Sequence, residues 1–372
     1  MLRRQYIHSP FPRRCSSLTQ AKPGVYDRKR AIEDMARNED VDVITGDWMS
    51  EANMTLRGSD KRDRLAGRGS MSTGSSLVAK GYEPYFLEEL APAIPHLARR
   101  GIKLAVNAGA SDVHGLAAAV ASMLESHGHG SAASRLRIGV VDGDDVTDAV
   151  LDLYRRGEPL PSLPTDQSIQ DWGHEPVCAQ CYLGGTGIAE CLRGGADIVL
   201  CGRVADASLA LGAAMWWHGW DRARDPDACA GALMAGHVIE CSTYATGGYY
   251  SGFKALAAER GDLDLGYPIA AVGGDGTTVF TMERGRDGLV SVDTVASQLL
   301  YEIQGPLYHN SDVTASIDDV RLEQVGKDAV RMSGIKGLPA PTTTKGKIKK
   351  KPFPSLPFPS PFECYVSFSP LT

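Results

Sequence analysis

The chain lacks the run of about 18 apolar residues that a membrane-spanning helix needs, which excludes a helical span. It also lacks a concentrated basic face: a net charge of -6 gives no general attraction to nucleic acid or to anionic membranes. Cysteine is thin, 8 in 372 residues, so a disulfide framework is excluded and a reducing compartment expected. Cys178 and Cys181 stand at CxxC spacing, but no second CxxC or histidine pair accompanies them. They read as two ordinary thiols, and no metal site is assigned to them. A GxSxG elbow and a complete dinucleotide fingerprint are both missing, which keeps a non-catalytic binding reading open beside an enzymatic one. No repeat at solenoid period is visible.

What is present is a soluble composition, 43% hydrophobic and 23% charged, and a recurring grammar of short apolar run, small or acidic turn, then helix. The stretch Cys181 to Gly212 shows it best. A glycine cluster (Gly184, Gly185, Gly187) opens a helix, the run Ile198 to Cys201 suits a buried parallel strand, and Arg203 and Asp206 fall just past its end. In open α/β sheets ligands sit at such carboxyl ends. The same grammar places Asp47 and Glu51 after the strand 41–45. These two acids read either as acid/base groups or as a helix cap and a solvated side chain. Asn107 exits the strand 102–107 into a small-residue turn. Asp142, Asp144 and Asp145 exit the strand 135–141, as a divalent-metal (Mg²⁺) or ribose site or as a plain N-cap.

Elsewhere, residues 26–38 read as a surface helix and 57–81 as a polar, basic surface loop. Residues 83–100 read as a helix that Pro92 and Pro95 break in two. Trp216, Trp217 and Trp220 read as packing residues. His237 and Glu240, at i,i+3, share a helical face, either as a proton-transfer couple or as a satisfied structural histidine. Beyond Gly261 the pattern changes to a hairpin turning at 273–276, a short strand and helix over 289–306, and a strand pair over 316–337. The first 24 residues, rich in arginine and poor in acid, read as a disordered or targeting leader; residues 342–372 read as a disordered tail.

Taken together, VDVITGDWMSEANMT, GYEPYFLEELAPAIPHLARRGIKLAVNAGASD, VVDGDDVTDAV, QCYLGGTGIAECLRGGADIVLCGRVADASLALGAAMWWHGW, GHVIECSTYATGGYYSGFK, LGYPIAAV and VDTVASQLLYEIQGP resemble the acyclic terpene utilisation protein family AtuA, in order from about Val41 to Pro341. The resemblance implies a place in breakdown of citronellol- and geraniol-type terpenes through CoA thioesters. Its members begin with a glycine-containing strand and loop, shortened here to residues 24–28, and longer members continue past Pro341. An inactive fragment is therefore one reading of the chain.

The expected architecture is α/β, a Rossmann-like parallel sheet with flanking helices over 25–255 and a smaller α+β segment over 256–341. The leading functional expectation is an enzyme of acyclic terpenoid or branched acyl-CoA catabolism, and the competing one a non-catalytic acyl-CoA binding or accessory protein. The expected acid/base groups are Asp47, Glu51, Asp144, Asp145 and Asp206. The expected ligand-binding groups are Asn107, Gly184, Gly185, Gly187 and Arg203, with glycine amides and Arg203 holding phosphate or carboxylate of a CoA thioester. A small-molecule or acyl-CoA ligand is the expected partner, self-association into a homo-oligomer is left open, and the cytoplasm is the expected location with mitochondria as the alternative.

Overall fold

The structure is a computed structural model that describes residues 14–19, 28–67, 80–127, 131–163, 165–260, 264–349 and 363–368. Residues 1–13 and 20–24 of the expected leader, the three residues 25–27 after it, 68–79 of the expected loop, and 350–362 and 369–372 of the expected tail lie outside the described residues.

Four short apolar segments, β2 (Val43–Asp47), β3 (Lys103–Val106), β4 (Ile138–Val141) and β6 (Ile198–Cys201), form a parallel sheet in the order β2-β3-β6-β4. β1 (Arg14–Thr19), within the expected leader, joins it parallel to β2. Antiparallel strands extend the other side: β7 (Pro268–Val272), β8 (Thr278–Met282), β12 (Ala329–Ser333) and β11 (Arg321–Gly326). The hairpin and the strand pair stand where the sequence places them.

Side chains alternate across the sheet, as a period of two demands. Ile44, Leu104, Val106, Ile198 and Leu200 face a layer made by α1 (Ala31–Asn38), α3 (Tyr85–Arg100) and α4 (Val113–Ser126). Ala105, Val199 and Cys201 face α6 (Thr186–Arg193) and α7 (Ser208–His218), while Val43 packs toward α7 and α8 (Pro226–Glu240). From Ala228 to Glu240 every residue of α8 is buried. A helix apolar all round goes to the centre, and here its buried histidine and glutamate, His237 and Glu240, lie at its C-terminal end.

The remaining elements are α2 (Glu51–Leu65), α5 (Thr147–Arg155), α9 (Phe253–Arg260), α10 (Val292–Leu299), a sheet of β9 (Leu307–His309), β10 (Thr314–Ser316) and β13 (Lys336–Leu338), and a sheet of β5 (Cys178–Cys181), β14 (Thr344–Lys349) and β15 (Glu363–Phe368). Among the described residues no helix is long and apolar enough to cross a membrane.

Four local expectations are corrected. Residues 57–65 are helical rather than loop: Ser50 caps α2 by accepting from the Asn53 amide (3.3 Å), and Arg57 is buried between Asp60 (3.1 Å) and Glu83 (3.2 Å). α3 runs unbroken through Pro92 and Pro95. Both prolines stand off its buried side, which is carried by Phe86, Leu90, Ala93, Ile94 and Leu97, so the carbonyls they leave unpaired can turn to water. No strand precedes α10; Ser291 and Thr294 form a reciprocal cap there. Thr344–Lys349, read as tail, pair antiparallel with Cys178–Cys181. Ile348 is buried beside Val150, Ile169 and Ala179, which pins that strand by its apolar side chain.

Candidate functional site at the strand ends

Asp47 ends β2 and Asn107 follows β3, so adjacent parallel strands deliver them side by side. Asn107 Nδ2 donates to Asp47 Oδ1 (2.5 Å), the Trp48 amide donates to Asn107 Oδ1 (2.6 Å), and the Met49 amide donates to Asp47 Oδ1 (2.9 Å). Burial, and next the nearby Asp206 carboxylate, push Asp47 well above the ordinary carboxylate range, against the pull of Arg203 and Asn107. Asp47 is therefore disposed to hold a proton more readily than a free carboxylate. It does not cap α2, whose cap is Ser50.

Arg203 arrives from β6 through Gly202. A side chain at Gly202 would run into Asp144, whose Oδ2 accepts the Arg203 amide (2.8 Å). The guanidinium is 3% exposed, its Nη1 bonded to the Met49 carbonyl (3.2 Å) and ion-paired with Asp206 (2.8 Å), its carbon 4.0 Å from the Tyr182 ring centroid. Burial opposes its charge, but Asp206, Tyr182, Asp47 and Glu51 outweigh that and raise its pKa further. Nε is buried without a hydrogen-bond partner, an uncommon state for a charged donor.

At the end of α8, His237 Nδ1 lies 3.2 Å from Glu240 Oε1, and the Tyr308 ring sits 5.0 Å from the imidazole. Burial is the largest cause at both: it pushes Glu240 well up, helped by Asp206 and Glu302, and pushes His237 down. Both shifts disfavour charge on this couple. Glu240 Oε2 also lacks a hydrogen-bond partner. Glu51 forms an ion pair with Lys347 of β14; burial opposes it, but Lys347 draws its pKa to about 2.

The sequence-derived residues divide. Asp47, Asn107, Arg203, Asp206 and Glu51 come together. Asp144 sits behind them, buried, with its pKa raised by that burial to about 6, and it fixes the turn that aims Arg203. Asp145 points elsewhere, to Lys61 (2.7 Å) and the Thr147 amide (3.0 Å), on the wall of a separate cleft of about 440 Å³ lined also by Arg62, Arg155 and Glu175. Asp142 pairs with His114 (2.6 Å). The three acids of this exit thus diverge, and among the described residues no group of three or more His, Cys, Asp or Glu stands ready to hold a metal ion.

The glycine cluster faces protein. The Gly185 amide donates to Asp312 Oδ2 (2.5 Å) and Thr186 Oγ1 to Asp312 Oδ1 (2.6 Å), so an internal carboxylate occupies the start of α6. A side chain at Gly184 would strike Asp312, one at Gly185 would meet the Gly212 amide (2.6 Å), and one at Gly187 would meet Val141 (2.9 Å). Residues the sequence reading did not assign to the site include Tyr182, Glu240, Glu302, Lys345 and Lys347. The spacing of His237 and Glu240 on an otherwise apolar helix was an available signal; the two lysines had none, lying in a stretch whose composition suggests a tail.

The chain was also compared with known proteins. No curated protein and no solved structure was found to match it. A family model, that of the acyclic terpene utilisation family protein AtuA, matches residues 19–352, further at both ends than the motifs alone indicate. Because that match covers most of its length, the chain belongs to the AtuA family of acyclic terpene utilisation.

Proposed function

We propose that this protein is an enzyme of acyclic terpenoid or branched acyl-CoA catabolism that transfers a proton at a carboxyl-derived group held at the strand ends. The observation that carries this reading is Asp47, locked by Asn107 and pushed by burial above the ordinary carboxylate range, in the same buried cluster as an arginine whose Nε is still to be paired. A fixed guanidinium stabilises negative charge developing on a carboxyl or thioester oxygen, and a neutral acid supplies a proton to it or to the neighbouring carbon. Covalent catalysis by cysteine is not favoured, because burial pushes Cys181 up to about 11 and Cys241 higher, so both stay thiols. Asp206 orients Arg203 through their ion pair, and Asp144 orients it through its backbone.

A second reading, a non-catalytic acyl-CoA binding or accessory protein, draws support from the cleft of about 440 Å³, whose rim carries Lys61, Arg62 and Arg155. Titration of the protein with branched acyl-CoA esters, followed by product detection, separates the two. Turnover that falls at least about 100-fold in Asp47→Asn supports proton transfer by Asp47; binding without product supports the second reading.

A further inference from the structure

Lys345 and Lys347 stand two residues apart on β14, so both point to one face while Ile348 points to the apolar cluster on the other. The face is that of the site. The Tyr182 amide donates to the Lys345 carbonyl (2.9 Å), and Lys345 Nζ lies 4.9 Å from the centroid of the Tyr182 ring, the ring that also carries Arg203 at 4.0 Å. Two cations are thus held against one aromatic ring, and Lys347, paired with Glu51, is a third in the same cluster.

We propose that β14 completes the site, and that Arg203 Nε and Lys345 together bind a carboxylate of the substrate, a fully charged oxyanion rather than a neutral thioester carbonyl. The inference rests on the reading of the strand-end site given above and names the group it takes. Arg203 is ion-paired with Asp206 and Lys347 with Glu51, and Lys345 shares the Tyr182 ring with Arg203. Lys345 is an exposed residue whose amine pKa is lowered, by desolvation first and then by the cations Arg203 and Lys347, an effect that a bound anion would oppose. The buried Nε of Arg203 supplies a donor already in place.

The test is calorimetric titration of the full chain at neutral pH with a branched-chain terpenoid monocarboxylate and with its methyl ester, in wild type, Lys345→Met, Lys345→Arg and Arg203→Lys, each checked for folding by circular dichroism. The expected result is carboxylate bound roughly tenfold or more tighter than ester by the wild type. Lys345→Met should lose that preference, leave ester affinity unchanged, and be rescued by Lys345→Arg. Equal affinity for acid and ester, no binding of the acid by the wild type, or an unchanged preference in Lys345→Met would each overturn the proposal. If Lys345→Met binds as wild type while Arg203→Lys weakens the acid, the strand-end site survives and only the role of β14 falls. If neither variant changes binding, both readings fall.

Discussion

At the start of α6 the Gly185 amide and the Thr186 hydroxyl both donate to Asp312, whereas at the exit of β6 an equally buried Arg203 keeps Nε without a partner. Both places favour negative charge, one through backbone amides at a helix N-terminus and the other through a guanidinium. They differ in where the anion comes from. Asp312 is 127 residues away from Gly185 in sequence and reaches it because the loop between β9 and β10 lies over the helix start, held by Asn310 to Ser208 (2.8 Å) and by Ser311 to the Tyr182 carbonyl (2.7 Å). A glycine-rich strand-to-helix turn therefore marks an anion site, but not a ligand site. What distinguishes the second is a buried donor that the protein itself leaves unused.

The contrast can be broken most forcefully at Arg203. Arg203→Ala leaves Asp206 and the Met49 carbonyl facing a void, and breaking a buried pair costs about 3–5 kcal/mol. Urea unfolding that shows a loss below about 1 kcal/mol would mean the cluster is already solvated. Next in size is Asp312→Ala, expected to lose about 2–3 kcal/mol through two orphaned donors at the start of α6, with Asp312→Asn losing less. Inorganic phosphate should raise the melting temperature of the alanine variant and not that of wild type. If it raises neither, the α6 terminus is not an anion site once emptied.

Asp47→Asn should change stability by less than about 1 kcal/mol at neutral pH, because burial disfavours the Asp47 charge and an amide there can still accept from Asn107. A large drop would mean that Asp47 is charged in the folded protein. The smallest effect belongs to a second helix start filled from within, that of α1, where the Ala31 amide donates to Glu89 (3.2 Å). Burial raises Glu89 from 4.5 to about 7. Its stabilising contribution is therefore complete below pH 4.5 and lost as pH rises through about 7. Denaturation midpoints of Glu89→Gln should fall less over that window than those of wild type; parallel curves would remove Glu89 from the pH response.

The strands of the parallel sheet were legible because each is a short apolar run closed by a glycine, an acid or an asparagine, and their ends led to Asp47, Asn107, Arg203 and Asp206. Helix α2 was not legible, since its buried side carries Asn53, Arg57 and Asp60, polar residues that stay buried through partners such as Glu83, distant in sequence. Asp144 and Asp145 look alike in sequence. Adjacent residues point to opposite sides, so one supports Arg203 and the other faces a different cleft.

By itself the sequence determined the family, the alternation of apolar run and helix, and the set of charged residues at strand ends, because these depend on residue type and spacing along one segment. Only the tertiary structure decided which of those charges share a volume, that Asp312 fills the glycine loop, and that β14 brings Lys345 and Lys347 to Arg203. Such pairings join segments more than a hundred residues apart. They are fixed by the register of strands and the burial of residues such as Ile348, neither of which any local pattern records.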